Sequence, residues 1–359
     1  MNTNPDVIVA GHTCMDLFPE FGAGADRIEK FLKPGKLINV GPMLNAMGGT
    51  VPNTGGALHR FGLDVCLMGK VGDDVLGQGV LKQMSLLGMN TDDMIVEKGA
   101  ASSYTIVLNI PGMDRIPLHY PGPNDTFCAD DLDFPTLGKA RHFHFGYPPL
   151  MRGMFADGGE QLAAIFRRVK ELGLTTSLDM ARPDPDAESG KADWRAILQK
   201  VLPFVDIFTP SIDELLYMLD RPAFDAFETS QTLTRTQLDA LGEELISMGA
   251  KTVFMKLGDQ GAYYYSEAET VYSPCFEVEL VGAIGSGDCT IAGFLAAQLR
   301  GLSAEESVEC AVAAGACNVE AADALSGIPD WETLQSRISK GWTRSEARVL
   351  SGIPERNDP

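Results

Sequence analysis

Basic residues are scarce in this 359-residue sequence: 29 Lys+Arg stand against 49 Asp+Glu, a formal net charge of −20, and no long acidic tail accounts for the excess. A surface of that sign repels nucleic acid and anionic membranes, so neither is expected as a partner. Any phosphate site must then be built locally, from backbone N–H groups and a few cations. The seven cysteines are odd in number and include no C-x-x-C, which argues against a disulfide framework or structural zinc. Cys310 and Cys317 fall on one helical face, where packing is the simpler role. No apolar run reaches membrane-spanning length and no basic-then-apolar leader opens the chain, so a cytoplasmic protein is expected. Internal repeats and strong linkers are also missing, which leaves one large α/β unit or two smaller ones.

What is present centres on Val281–Cys289, Val-Gly-Ala-Ile-Gly-Ser-Gly-Asp-Cys, running straight into an apolar-faced helix to Leu299. A strand-like run (276–281) enters a glycine turn, and the helix leaves it. Gly285 and Gly287 free the backbone for close approach to a ligand. The first N–H groups of the helix, with the positive end of its dipole, form an anion site. Asp288 stands in the same place. Taken alone, it reads equally well as a helix N-cap or as a carboxylate that takes a proton from an attacking hydroxyl beside a bound phosphoryl group.

Elsewhere βα alternation predicts a parallel sheet: strands over 6–10, 65–68, 141–146, 175–179 and 252–257, with helices over 75–87, 159–172 and 237–248. Asp16 follows the first strand in a loop at its carboxyl end, where open α/β sheets place ligands. His142 and His144 share a strand face without an evident third metal ligand, so a structural role is expected. Residues 102–110 and 116–120 are β-rich and, joined by Pro111-Gly112-Met113-Asp114, read as a hairpin. Pro19 to Lys36 reads as a surface excursion, with further strand near Lys36 to Val40.

A second motif removes most of the ambiguity at Asp288. It is Gly48-Gly49-Thr50-Val51-Pro52-Asn53-Thr54-Gly55-Gly56, continuing through Phe61-Gly62-Leu63 to Gly69-Lys70-Val71-Gly72-Asp73-Asp74 and Gly77. The two stretches, in this order and spacing, resemble the paired signatures of the ribokinase-like (PfkB) carbohydrate kinases, and the similarity extends with gaps from about Val7 to about Trp331. The resemblance implies an α/β three-layer sandwich with a central, mostly parallel sheet and a small β-sheet lid. Residues 1–340 would form one domain, the lid coming from segments near 14–45 and 100–121, with 341–359 a peripheral tail. It also implies a homodimer paired through the lid.

The activity implied is ATP-dependent, Mg²⁺-assisted phosphorylation of a hydroxyl on a sugar or polyol, with a nucleoside or vitamin-type alcohol, or a catalytically degenerate binding protein, as alternatives. Gly285, Ser286 and Gly287 would donate N–H groups to the migrating phosphoryl, and Asp288 would be the base, weakened by the helix dipole. Asp16, Gly48, Gly49 and Asn53, the last opening a helix over 54–61, would face the sugar. Arg182 would face an anionic substrate or the transferred phosphate, or else pair with Asp179. Lys256, Gly258 and Gly261 would lie on the nucleotide side. Glu214 would organise Mg²⁺ through water, or cap a helix with Ser211. The small residues of a helix over 304–321 would admit adenine or simply allow close helix packing, and Tyr263, Tyr264 and Tyr265 read as packing.

The chain departs from the family pattern at Gly282, where many relatives carry an aspartate beside a monovalent cation, and at Ser211, where asparagine is usual. An active, potassium-independent kinase is therefore expected.

Overall fold

The computed structural model describes residues 4–22, 34–110, 116–346 and 349. Fourteen strands are assigned among them: β1 (Val7–Gly11), β2 (Cys14–Pro19), β3 (Met43–Gly48), β4 (Val65–Met68), β5 (Lys70–Gly72), β6 (Ile95–Glu97), β7 (Tyr104–Leu108), β8 (Ile116–Tyr120), β9 (His142–Gly146), β10 (Thr175–Leu178), β11 (Ile207–Phe208), β12 (Thr252–Lys256), β13 (Ala262–Ser266) and β14 (Thr270–Ser273). Eight of them make the main sheet, in the order β14-β13-β12-β11-β10-β9-β1-β4. From β4 to β12 every pairing is parallel, and β13 and β14 close the edge antiparallel.

Parallel strands covered on both faces need apolar side chains on both, and β1 reads Val-Ile-Val-Ala-Gly, buried throughout. Its alternation splits the interior. Val7 and Val9 pack with the helices Thr50–Arg60, Ser286–Leu299 and Ala304–Val319, while Ile8 and Ala10 pack with Glu160–Glu171, Trp194–Val201 and Arg235–Ser247. The helices Ser286–Leu299 and Ala304–Val319 approach closely: a Cβ on Gly293 would lie 2.7 Å from that of Ala314, and one on Gly315 would run into Thr290. Close helix packing thus accounts for the small residues of the second helix.

The second sheet is the lid, with order β3-β2-β7-β8. Two expectations change here. Asp16 lies within lid strand β2, paired with Ala46 and Thr105, and not in a loop. Residues 36–40 hold no strand, and the lid's edge strand is β3, at 43–48. The expected turn 111–114 lies outside the described residues, as does most of the excursion 19–36. Residues 342–345, assigned from sequence to a peripheral tail, are anchored: Trp342 stacks on Phe276 at 4.4 Å and the Ser345 N–H donates to Cys275 O at 2.8 Å; residues 347, 348 and 350–359 lie outside the described set.

Lid and main sheet are joined by a buried amide. Asn124 Oδ1 accepts the Thr13 N–H at 3.1 Å, and its Nδ2 donates to Thr13 O at 3.0 Å and Pro121 O at 2.9 Å. Thr13 separates β1 from β2 and Pro121 follows β8, so one side chain fixes both ends of the lid. Asn124→Ala would leave these groups buried and unpaired. A loss of about 1–3 kcal/mol in urea denaturation is expected; an unchanged midpoint would show that the amide is not the joint.

Candidate active site

Six parallel strands end on one edge of the main sheet, and the candidate residues follow five of them. His12 and Asp16 come after β1, Tyr147 after β9, Asp179 after β10 and Glu214 after β11, while Lys256 is the last residue of β12. This is the edge at which open α/β sheets bind ligands.

Gly285, in the left-handed region at φ 70°, is the N-cap of Ser286–Leu299, and Asp288 is the third helical residue. Asp288 is therefore not the cap, and its side chain makes no capping bond. The first intrahelical bond runs from the Cys289 N–H to Gly285 O at 2.9 Å. The N–H groups of Ser286, Gly287 and Asp288 accordingly point out of the helix start. Asp288 is buried, and its carboxylate is held from two other elements. Oδ2 accepts from Asn53 Nδ2 at 3.0 Å and Tyr147 OH at 2.8 Å, and Oδ1 accepts from Thr54 Oγ1 at 3.1 Å. The expectation that the helix dipole weakens this base is corrected: burial drives the carboxyl above its usual range, against the pull of Tyr147, Asn53, Lys256 and Thr54.

Asn53 lies inside the helix Thr50–Arg60, which starts four residues earlier than expected, with Gly49 (φ 95°) as N-cap. Pro52 sits in its first turn, where a missing N–H costs nothing. This places Asn53 and Thr54 against Asp288. The second amide atom, Asn53 Oδ1, is buried with no partner among the described residues, as are both ring nitrogens of His12 and Asp179 Oδ2. Gly48 and Gly49 are required by contact: side chains there would run into the Asp16 carboxylate and His12. Asp16 is raised above its usual range by burial, and His12 is held well below its own, so that imidazole is neutral.

Lys256 donates to Asp179 Oδ1 at 2.6 Å, both side chains being buried. Burial alone would lower the Lys256 ammonium, but Asp179, Glu214 and Asp288 more than offset it, and the lysine is held charged. A Cβ on Gly287 would lie 3.6 Å from its Nζ, so the cation stands beside the anion turn. Glu214 caps its own helix, accepting the Ser211 N–H at 2.7 Å, and burial raises its carboxyl. Arg182, by contrast, does not pair with Asp179. It lies half-exposed, 3.3 Å from Glu228, on a cleft of about 690 Å³ shared with Thr105 and His119 of the lid and with Asp125, Arg152 and Glu188.

At the turn expected to face the nucleotide, Gly258 (φ 61°) faces open space, while a Cβ on Gly261 would run into Ser273 O. Gly261 is thus demanded by the neighbouring strand. Gly282 is hemmed in as well, since a Cβ there would lie 2.8 Å from Ala321 O. His142 and His144 both bond Ser177 Oγ at 2.7 Å, a structural role. No group of three or more potential metal-ligating side chains occurs among the described residues, and no helix there is long and apolar enough to cross a membrane.

Sequence reasoning did not find Thr54, Tyr147 or His12 as site residues, nor Asp179 as the partner of Lys256. The signal available was position alone, each lying at a helix start or just beyond a strand's carboxyl end.

The model of the pfkB family of carbohydrate kinases matches residues 5–331. The chain belongs to this family. Among its relatives is an uncharacterized sugar kinase of Archaeoglobus fulgidus, 28% identical over 272 residues, 76% of this chain and 98% of that protein. An ATP-dependent ribose-1-phosphate kinase of Halopiger xanaduensis is 26% identical over 75% of this chain and 79% of its own. A solved ribokinase of Arabidopsis thaliana, complexed with ribose and ATP, superposes with TM-score 0.76 at 19% identity, over 93% of this chain and 98% of that one. The pfkB chain thus has the ribokinase fold and is a carbohydrate kinase.

Removing the cation from this pfkB site should be costly. Lys256→Met keeps the volume but strands Asp179, so a destabilisation of about 3–5 kcal/mol is expected by chemical denaturation. Adding Asp179→Asn should restore part of it. A single variant as stable as the parent would show that Lys256 and Asp179 do not form a buried ion pair.

Proposed function

We propose that the enzyme transfers the γ-phosphoryl group of ATP to a hydroxyl of a sugar or sugar-like alcohol, with Asp288 as the base. The observation that carries this is the buried carboxylate of Asp288, raised by desolvation, one turn inside a helix start whose N–H groups face outward. A base poised above the usual carboxylate range accepts a proton more readily, and the N–H groups suit charge developing on the migrating phosphoryl. The backbone at Gly285, Ser286 and Gly287 would cradle that group, with Lys256 beside it. Asp16, Asn53 Oδ1 and the neutral His12 would read the remaining hydroxyls, and the lid would exclude water from the acceptor site. Gly258 would leave room for the nucleotide.

The donor set fits Mg²⁺ arriving with ATP: Asp179 Oδ2 is a buried oxygen without a partner among the described residues, and Glu214 lies near enough to act on Lys256. These two carboxylates would hold the hydrated ion, which supplies charge neutralisation of the phosphate oxygens. Gly282 offers no side chain to a monovalent cation, and a Cβ there would lie 2.8 Å from Ala321 O, so activity is expected to be the same in K⁺ and in a tetraalkylammonium salt. Several-fold activation by K⁺ would refute that point.

Outside the site, Leu17, Ile106 and Leu118 run in register on the lid face opposite Asp16. With Leu118 50% exposed, that row is offered as the surface on which a second copy pairs. Sedimentation of Leu118→Asp as the parent species would dismiss it.

The test of the main proposal is ATP consumption with Mg²⁺ over sugars, sugar acids, polyols and nucleosides, alongside Asp288→Asn. Turnover on a sugar or polyol, lost by about three orders of magnitude or more in the variant, is the expected result. Retained turnover in Asp288→Asn would overturn the base assignment, and turnover on nucleosides alone would replace the acceptor class.

A further inference from the structure

Tyr147 is one of three non-glycine residues with positive φ among the described residues, at φ 67° and ψ 42°, directly after β9 and before Pro148-Pro149. A left-handed tyrosine is unfavourable on its own, and such residues persist where the surroundings over-determine them. Here the conformation carries the phenol over the sheet edge to Asp288, where its hydroxyl donates to Oδ2 at 2.8 Å. The ring lies 6.0 Å from that of His12, itself 2% exposed with both nitrogens unpartnered. Burial and the neighbouring Asp288 hold the phenol well above its usual range, so it stays a donor.

An ionised carboxylate offers about four acceptor positions. At Asp288 two on Oδ2 are filled, by Asn53 and Tyr147, and one on Oδ1 is filled by Thr54. Counting bonds among the described residues, one position, on Oδ1, remains. We propose that Tyr147 is a positioning residue for the base, closing Oδ2 and turning the remaining lone pair of Oδ1 toward the acceptor hydroxyl. The proton of the attacking hydroxyl then passes to Oδ1 as its oxygen bonds to phosphorus, and the bond from phosphorus to the leaving ADP oxygen breaks. This rests on Asp288 being the base.

Several other groups face Asp288. Cys289 is its neighbour on the helix, Lys256 and Asp179 come from β12 and the end of β10, and Asp16 and Cys14 from lid strand β2. Tyr147→Phe leaves all of these and the ring in place and deletes only the donor. A donor favours the charged carboxylate, so its loss raises the folded-state pKa of Asp288. Activity that needs the carboxylate then fails at a higher pH as pH falls.

The experiment is a ¹³C-aspartate NMR titration of the ligand-free protein, the Asp288 signal being assigned with Asp288→Asn. It is paired with kcat against pH, using MgATP and whichever alcohol the wild type turns over fastest in the panel above. Tyr147→Phe should move the Asp288 midpoint and the acid limb of kcat up by about one pH unit and lower kcat about tenfold, with the KM for ATP unchanged. Substituting 3,5-difluorotyrosine, a stronger donor of the same shape, should move both down, and it serves if the Phe variant folds poorly. A midpoint and acid limb unmoved in both proteins would overturn the role of Tyr147. If Asp288→Asn is inactive at the same time, only this inference fails; if Asp288→Asn is active, the base itself was misassigned.

Discussion

The arrangement depends on keeping a carboxylate out of water. Burying an ionised carboxyl is costly unless donors replace its hydration, and Asp288 finds them on two separate elements: Asn53 and Thr54 on the helix Thr50–Arg60, and Tyr147 beyond β9. The two sequence motifs are therefore one structure. The Gly48–Gly56 stretch is needed because the first turn of its helix has to reach Asp288, and that turn can start only where Gly49 takes a positive φ. The compensation is partial. Full compensation would leave an ordinary, weak carboxylate, whereas here burial still wins and the group is raised.

Absent side chains do comparable work. Gly48 and Gly49 let Asp16 and His12 approach the helix start, and Gly285 turns the chain beneath Ala324, whose Cβ a side chain there would meet at 2.6 Å. Gly282 belongs to the same set. Its crowding by Ala321 O means that the local backbone path leaves no room there for a larger residue such as the aspartate the family resemblance suggested.

Much of this was legible in the chain. The βα alternation, the glycine turn before a helix and Asp288 at its start are local features, and local features survive into three dimensions. Asp16 was misplaced because Cys-Met-Asp-Leu-Phe-Pro alternates polar and apolar too weakly to announce a strand, and its partners Ala46 and Thr105 are far away in sequence. The sign of the Asp288 shift was missed for a related reason: the helix dipole is visible in sequence, but desolvation depends on what packs around the group. Proximity in the chain left Asp179 as one of two partners for Arg182, the other an anionic substrate or the transferred phosphate, while in space Lys256 reaches Asp179 from 77 residues away. Tyr147 could be found only by asking which residues follow the carboxyl ends of the strands.

Charge at the site carries the reasoning one step further. Asp179, Glu214 and Asp288 converge around the buried cation Lys256, and Asp16 lies near enough to act on Asp288, in a chain already at −20. Such a cavity does not attract a bare polyphosphate, since each carboxylate raises the cost of the next charge. On the proposed reading a phosphate donor would bring its own positive charge, and Asp179 Oδ2, without a partner among the described residues, is what a hydrated divalent cation would meet. Burial keeps the Asp288 carboxyl above its usual range in the same cavity. If Asp288 is the base, as proposed, neutralising Asp179 and Glu214 on binding would weaken it, and the pull on phosphate oxygens would have to be balanced against the proton affinity of Asp288. With its three donors fixed by the fold, Asp288 can respond to that balance only through the lone pair it has left.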